Sequence, residues 1–349
     1  MFDRNRLRKR LSVDVKQYLR SKAKAHPKRV VFPESNEERI VRAARQALDL
    51  GIAYPILVGK PETVTAFAGS IGVSLDGITI ADLTDEAVVD NYVARFLDIN
   101  TTLPGKTLKR MMRLPLNFAV LMEAIGEADC AVAGLVHTTG EVILAAQMML
   151  GMQEGIETVS SWGVWSIPGF QGADGELLVH ADCAVVPDPT PNELADIAIS
   201  SADTTRALLD LEPRVALLSF STKGSAQHEK VDRVLEALEI VHKRRPDLLI
   251  DGELQVDAAI IPAVAARKMQ DVGPVAGRAN ILIFPDLNAG NIGVKLVQIF
   301  GHADAYGPLL QGFAKPITDL SRGHTVDNIV GAATNVIVLA EGLSRRQAR

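Results

Sequence analysis

Arg322 follows Ser321 and precedes Gly323 in the segment PITDLSRG, 316–323. A guanidinium is the natural partner of a phosphate or of a developing oxyanion, and a neighbouring hydroxyl adds a donor. The same arginine can equally serve a structural ion pair with Asp319. In LVHTTG, 135–140, the hydroxyls of Thr138 and Thr139 open a predicted helix, and His137 can donate to a phosphate or carbonyl. Free N–H groups at a helix start attract anions; the plain alternative is a helix cap beside a bystander histidine. In SFSTKGSA, 219–226, Ser221, Thr222, Lys223 and Gly224 offer hydroxyl, backbone and ammonium donors suited to phosphate. Its spacing is not that of a Walker A loop, and a solvated turn has the same composition. In FPDLNAGNIGVK, 284–295, Asp286, Asn288 and Asn291 surround Gly290, expected just before a helix. They shape a ligand site or an Asx-stabilised turn. In DGELQVDAA, 251–259, Glu253, Gln255 and Asp257 alternate as on a strand face or lead into a helix. That pattern suits acid–base work or an interface.

These segments need strand-to-helix junctions, where open α/β sheets gather their ligands. The chain supplies them. From Arg29 onward, short apolar runs alternate with helical patterns. RVVFPE (29–34), YPILVG (54–59), ITIADL and DCAVAG (129–134) read as strands. Helices are expected over 35–51, from Pro61, over 85–97, near 115–127 and near 140–150. Ser35 with Glu38 reads as a capping box, and Gly51 as a stop. Strands apolar throughout imply a mostly parallel sheet covered on both faces. The pattern changes at 156–187, where TVSSWGVWSI and ELLVHADCAVV flank a Gly/Asp-rich turn and read as a hairpin. Thr190, Pro191 and Glu193 then start a helix over 190–209, and RVALLSFS and NILIFPD follow as strands. The last helix is expected near 326–341.

A chain of 349 residues exceeds one ordinary core, so two domains are expected. Hydrophobic residues at 47% and charged residues at 23% mark a soluble globular protein. A net charge of −5 argues against a nucleic-acid partner. Cys130 and Cys183 sit in apolar runs and read as buried, reduced thiols; no clustered Cys or His suggests a metal. No run reaches the ~18 apolar residues of a membrane helix. The basic start MFDRNRLRKR has no apolar region behind it, so it is not read as a signal peptide, and a cytoplasmic protein is expected. Residues 1–28 are expected to be a charged helix or arm serving oligomer contact or solubility.

Taken in order, HTTG, SFSTKGSA, DGELQVDAA, FPDLNAGNIGVKLVQ and GPLLQGFAKPITDLSRG resemble the phosphate acetyl/butyryltransferase family, more closely its acetyltransferase branch. The resemblance begins with VFPES…R and is densest over 215–330. It implies an α/β enzyme of two domains, each a mostly parallel sheet flanked by helices. The two enclose an interdomain cleft, as in the isocitrate dehydrogenase group. Domain I would take 29–155 plus 306–349, and domain II 156–305. The implied reaction interconverts acetyl-CoA plus phosphate with acetyl phosphate plus CoA. Coenzyme A is then a substrate, no cofactor is tightly held, and a homodimer is expected. Ser321 and Arg322 would bind phosphate or stabilise the oxyanion; Ser221, Thr222, Lys223 and Gly224 would meet phosphoryl or pyrophosphate groups. His137, Thr138 and Thr139 join the substrate-binding set, and Asp286, Asn288 and Asn291 would shape the cleft.

Three departures from the family pattern stand out. The aspartate expected seven residues after the motif serine, the proposed acceptor of the thiol proton, is Asn328, which takes no proton; either Asp327 beside it substitutes as the catalytic base by a small shift of the helix, or base catalysis is weaker, or the activity is lost. After HTT the chain has Glu141 and Leu144 where an aspartate and an arginine are usual. A second arginine is replaced near Asp98, though Arg95 is close. A lost charge-assisted hydrogen bond is worth about 1.5–3 kcal/mol, so a silent homologue that senses acetyl-CoA or acetyl phosphate is the rival reading. A dehydrogenase is a remoter one, since neither a G-x-G-x-x-G fingerprint nor a metal-binding carboxylate triad is evident.

Overall fold

The structure is a computed structural model and describes residues 14–347. The first thirteen residues of the expected arm lie outside the described residues. The second half of that arm is a helix, Val15–Ala25, burying Val15, Leu19 and Ala23 at fourfold spacing.

The chain divides into two compact units. One holds Leu19–Gln153 and Phe313–Arg349; the other holds Glu154–Gly312 and the chain up to Tyr18. The first unit is built on five parallel strands: β1 (Lys28–Phe32), β2 (Ala53–Val58), β3 (Thr79–Ala81), β4 (Cys130–Ala133) and β11 (Ile317–Asp319). Their order across the sheet is β11-β4-β1-β2-β3. Val30, Val31 and Phe32 are wholly buried, as the uninterrupted apolar run requires when helices cover both faces. The C-terminal helix Val326–Gln347 packs on β4, β11 and helix Glu38–Asp49 of the same unit. Its stretch Val326–Arg345 is long and apolar enough to cross a membrane, but more than half of it is buried and it reads as a core helix.

The other unit has six strands: β5 (Ser160–Ser166), β6 (Leu177–Ala181), β7 (Arg214–Leu218), β8 (Leu249–Leu254), β9 (Ile281–Ile283) and β10 (Asp304–Gln311). The order is β10-β5-β6-β9-β7-β8. β5 and β6 form the expected antiparallel hairpin, and β6, β9, β7 and β8 run parallel. β10 pairs antiparallel with β5, so residues 306–312 stand in this unit rather than with the C-terminal segment.

Local signals fared unevenly. Thr190 and Glu193 form the full capping box. Ser35 and Glu38 do not: the Ser35 hydroxyl donates to the Val58 carbonyl at 2.5 Å, and Glu37 caps the helix that begins at Glu38. Glu38 pairs instead with Arg42. A short helix, Gly105–Met111, had no counterpart in the sequence reading.

Candidate active site

In the first unit, β1, β4 and β11 are adjacent and parallel, so their C-terminal ends open on one edge. β1 runs into Pro33 and Glu34, β4 into Gly134–Thr139, and β11 into Leu320–Gly323. The three junctions are tied together. The buried Glu34 carboxylate accepts backbone N–H groups of Leu135 (3.0 Å), Val136 (2.8 Å) and His137 (3.1 Å), with Gly134 at 3.3 Å. His137 Nδ1 lies 2.9 Å from the same carboxylate. Burial alone would raise the Glu34 pKa, but the His137 contact and the backbone donors outweigh it and hold it below its ordinary value. The contact with Glu34 raises the His137 pKa against its own burial. This nest, which the sequence suggested for a ligand, is filled by the protein's own carboxylate.

Thr138 and Glu141 form a second capping box, with Glu141 accepting from the Thr138 N–H (2.7 Å) and hydroxyl (2.9 Å). The Glu141 carboxyl sits below its ordinary pKa mainly through these Thr138 bonds, with smaller contributions from the charges of His137 and Arg322. Arg322 is therefore close enough to the HTTG junction for its charge to be felt there. Thr139 donates its hydroxyl to Asp319. Burial raises the Asp319 pKa, and the Asp319 Oδ1 is buried without a partner. Gly134 makes this approach possible: its φ is +103°, and a Cβ there would stand 2.1 Å from that oxygen.

Ser321 and Arg322 are exposed. Among the described residues neither side chain has a hydrogen-bonded or ion-paired partner, so the alternative pairing of Arg322 with Asp319 is not formed. The turn behind them is ordered by the His324 N–H, which donates to the Ser321 carbonyl at 2.9 Å. Arg39 Nη1 donates to the carbonyls of Arg322 (2.8 Å) and His324 (2.9 Å). His324 itself was missed in the sequence. Burial, then the Arg39 charge, lowers its pKa, and its Nδ1 is buried without a partner. Thr325 caps the last helix, its hydroxyl accepting from the Asn328 N–H at 3.3 Å, and Asn328 answers with its Oδ1, which accepts from the Thr325 N–H (3.0 Å) and hydroxyl (2.8 Å). Asp327 points elsewhere and accepts from Gln46 Nε2 at 3.1 Å. Adjacent helical residues diverge by about 100°, and the two side chains are separated accordingly.

The other unit gathers the remaining candidates at the C-terminal ends of β7, β8 and β9. Ser221 donates its hydroxyl to the buried Glu253 at 2.8 Å, and the Gly224 N–H reaches the same oxygen at 2.8 Å. Thr222 exchanges hydrogen bonds with Gln255. Lys223, at φ +47°, pairs with Asp251 and donates to the Gly252 carbonyl at 2.7 Å. Asp257 is held by Lys268. The DGELQVDAA segment thus braces the STKG turn. Asp286 is the cap of helix Leu287–Phe300, accepting from the Ala289 N–H at 2.9 Å. Asn291 donates to the Cys183 carbonyl at 3.1 Å, and Asn288 is exposed. Gly290 lies inside this helix rather than before it; a Cβ there would come within 2.2 Å of the Asp182 carbonyl.

Of the departures, Leu144 is 57% exposed, and Arg95 is bound to Glu127 and to the Ile125 carbonyl. Arg95 therefore does not stand free for a ligand. Among the described residues no cluster of three or more His, Cys, Asp or Glu suited to a metal occurs.

Residues 14–341 match the family described as "Phosphate acetyl/butaryl transferase". The phosphate acetyltransferase of Clostridium acetobutylicum is 44% identical over 322 residues, covering 91% of this chain and 96% of that protein. A solved phosphotransacetylase from Streptococcus pyogenes superposes with a TM-score of 0.86 at 37% identity, covering 94% of this chain and 98% of that one. The EutD phosphotransacetylase from Staphylococcus aureus gives 0.82 at 30% identity, covering 93% and 99%. With matches of that length at both levels, the chain belongs to the phosphate acetyl/butyryltransferase family.

Proposed function

We propose that the protein moves an acetyl group between coenzyme A and phosphate, interconverting acetyl-CoA plus phosphate with acetyl phosphate plus CoA. The observation that carries this reading is the exposed, unpaired Ser321–Arg322 step at the end of β11, in a chain matched to the family over 14–341.

The nucleophile is the CoA thiolate, and a free thiol with a pKa of about 8.5 is only slightly ionised at neutral pH. The thiol proton leaves to a base as sulfur bonds to the acetyl carbon. Charge grows on the carbonyl oxygen, then the bond to the phosphate oxygen breaks and phosphate departs with the electron pair. Arg322 and Ser321 meet the phosphate and the oxyanion, as fixed donors placed where charge develops. Asn328 accepts no proton, and its oxygen is used by Thr325. Asp327 is the ionisable neighbour; its Oδ1 is held by Gln46, and it serves as base only by turning toward the SRG turn. His137, Thr138 and Thr139 set the wall beside Arg322. Ser221, Thr222, Lys223 and Gly224 are the candidates for the CoA phosphates, with Lys223 exchanging Asp251 for a phosphate. Asp286, Asn288 and Asn291 shape that ligand's surroundings.

CoA enters here as a substrate, with no tightly held cofactor in the scheme. A homodimer fits the apolar stripe of Ile292, Leu296, Ile299 and Phe300, exposed along helix Leu287–Phe300. The net charge of −5 fits small anionic substrates held by a few local cations rather than nucleic acid. The buried C-terminal helix fits a cytoplasmic protein that stays off membranes.

The test is a CoA-dependent assay of the purified protein with acetyl phosphate, following thioester formation. Sustained turnover supports the reading. Acetyl-CoA binding without turnover would replace it with the sensor.

A further inference from the structure

Arg39 stands in the first turn of helix Glu38–Asp49, where a positive charge opposes the helix dipole. Its side chain does not stay there. Nε donates to Glu37 at 3.0 Å, and the two protons of Nη1 go to the carbonyls of Arg322 and His324. These two carbonyls flank the Gly323 residue of the SRG turn. The Arg322–Gly323 peptide is trans, so its N–H points opposite to its C=O. With the Arg322 carbonyl held toward Arg39, the Gly323 N–H faces away from it. Gly323 is exposed, and among the described residues its N–H donates to no protein group. The His324–Thr325 peptide behaves the same way: its carbonyl goes to Arg39, and its N–H goes to Asn328.

We propose that Arg39 is the positioning residue of the phosphate subsite, orienting the SRG turn so that the Gly323 N–H is presented as an anion donor beside Arg322. This rests on the acyltransfer reading above. Glu37 sets the angle of the guanidinium, and Arg39 acts through the turn without touching substrate. Lysine in its place keeps the charge but loses the Nε anchor to Glu37.

The full chain, wild type and Arg39→Ala, Arg39→Lys, Arg322→Ala and the Arg39→Ala/Arg322→Ala double variant, is assayed with acetyl phosphate and CoA. A misplaced donor set costs on the order of 100-fold in rate. Arg39→Ala is expected to lower kcat by that order, with KM for CoA and the thermal midpoint nearly unchanged. Arg39→Lys should fall between it and wild type. In the double variant, the added loss over Arg322→Ala alone should be small, because both act on one subsite. An active wild type whose Arg39 variants keep kcat, or lose it only in step with a fallen thermal midpoint, overturns the inference and leaves the acyltransfer reading intact. If Arg39→Ala does not fold, Arg39→Lys at a wild-type midpoint decides. A wild type without turnover overturns both.

Discussion

Two clusters of strand-end loops carry the same donor types and differ in what those donors hold. At the ends of β7, β8 and β9, the Ser221 hydroxyl and the Gly224 N–H go to Glu253, Thr222 goes to Gln255, and Lys223 pairs with Asp251. At the end of β11, Ser321 and Arg322 are exposed, while the contacts bracing them fall on backbone carbonyls and on Asp319, Glu34 and Glu141. The first cluster uses its cation and hydroxyls to hold itself; the second holds itself with other groups and leaves its cation available. Composition cannot distinguish them, because a donor's worth to a ligand depends on the acceptor it must first give up.

The sharpest way to break this contrast is to remove the free cation. Arg322→Ala should lower kcat by about 10²–10³-fold, the usual cost of removing a fixed donor to developing charge. Its thermal midpoint should stay near wild type, since an exposed side chain without a partner contributes little to stability. Steady-state kinetics with thermal unfolding checks both. Turnover within a few-fold of wild type would misplace the site.

Asn328→Asp is the next largest. An aspartate can take over the Thr325 contacts and suits the first turn of the helix, so stability should hold or rise slightly. If the base is simply missing, kcat should rise by up to about 10²-fold, the lower end of general base catalysis. An unchanged rate would show that another group accepts the thiol proton. Lys223→Ala should be milder. A half-exposed ion pair contributes about 0–1 kcal/mol, so KM for CoA should move by no more than a few-fold and kcat should hold. A loss equal to that of Arg322→Ala would erase the distinction between the clusters.

The sequence made much of this legible. Apolar strands alternating with capped helices announced the parallel sheets, and the hairpin at 156–187 marked the change of unit, because period and turn chemistry are local. The long-range ties were not legible. Ser35 has the spacing of a cap with Glu38, yet the Val58 carbonyl takes its hydroxyl. Residues 306–312 belong with β5 because strand pairing, absent from any local window, places them there. Arg39 lay inside the recognised VFPES…R segment, but its grip on carbonyls some 283 positions away is visible only once the chain is folded. Glu34 read as the end of a strand, although its carboxylate organises the HTTG junction.

The smallest prediction extends the contrast from the loops to the core of the unit that carries the STKG turn. His180 is buried there, its ring edge-on to Trp165 at 4.7 Å and stacked on Phe284 at 5.8 Å. Burial lowers its pKa to about 3. The unfolded chain takes up this proton near the ordinary value of about 6.5, and the folded chain does so only near the lowered one. Between those values the unfolded state binds more protons, so stability from this group is present above pH 6.5 and is lost as pH falls toward 3. His180→Phe removes the group and keeps an aromatic ring between Trp165 and Phe284. Its stability should therefore fall less steeply than wild type between pH 6 and pH 4, while the Glu34 and Asp129 carboxylates, both held below their ordinary values, still drive acid unfolding lower down. Urea unfolding of both proteins across that range measures it. Parallel acid limbs would mean that His180 takes up its proton in the folded state near the ordinary value of about 6.5, and that its ring is reached by water rather than sealed between Trp165 and Phe284.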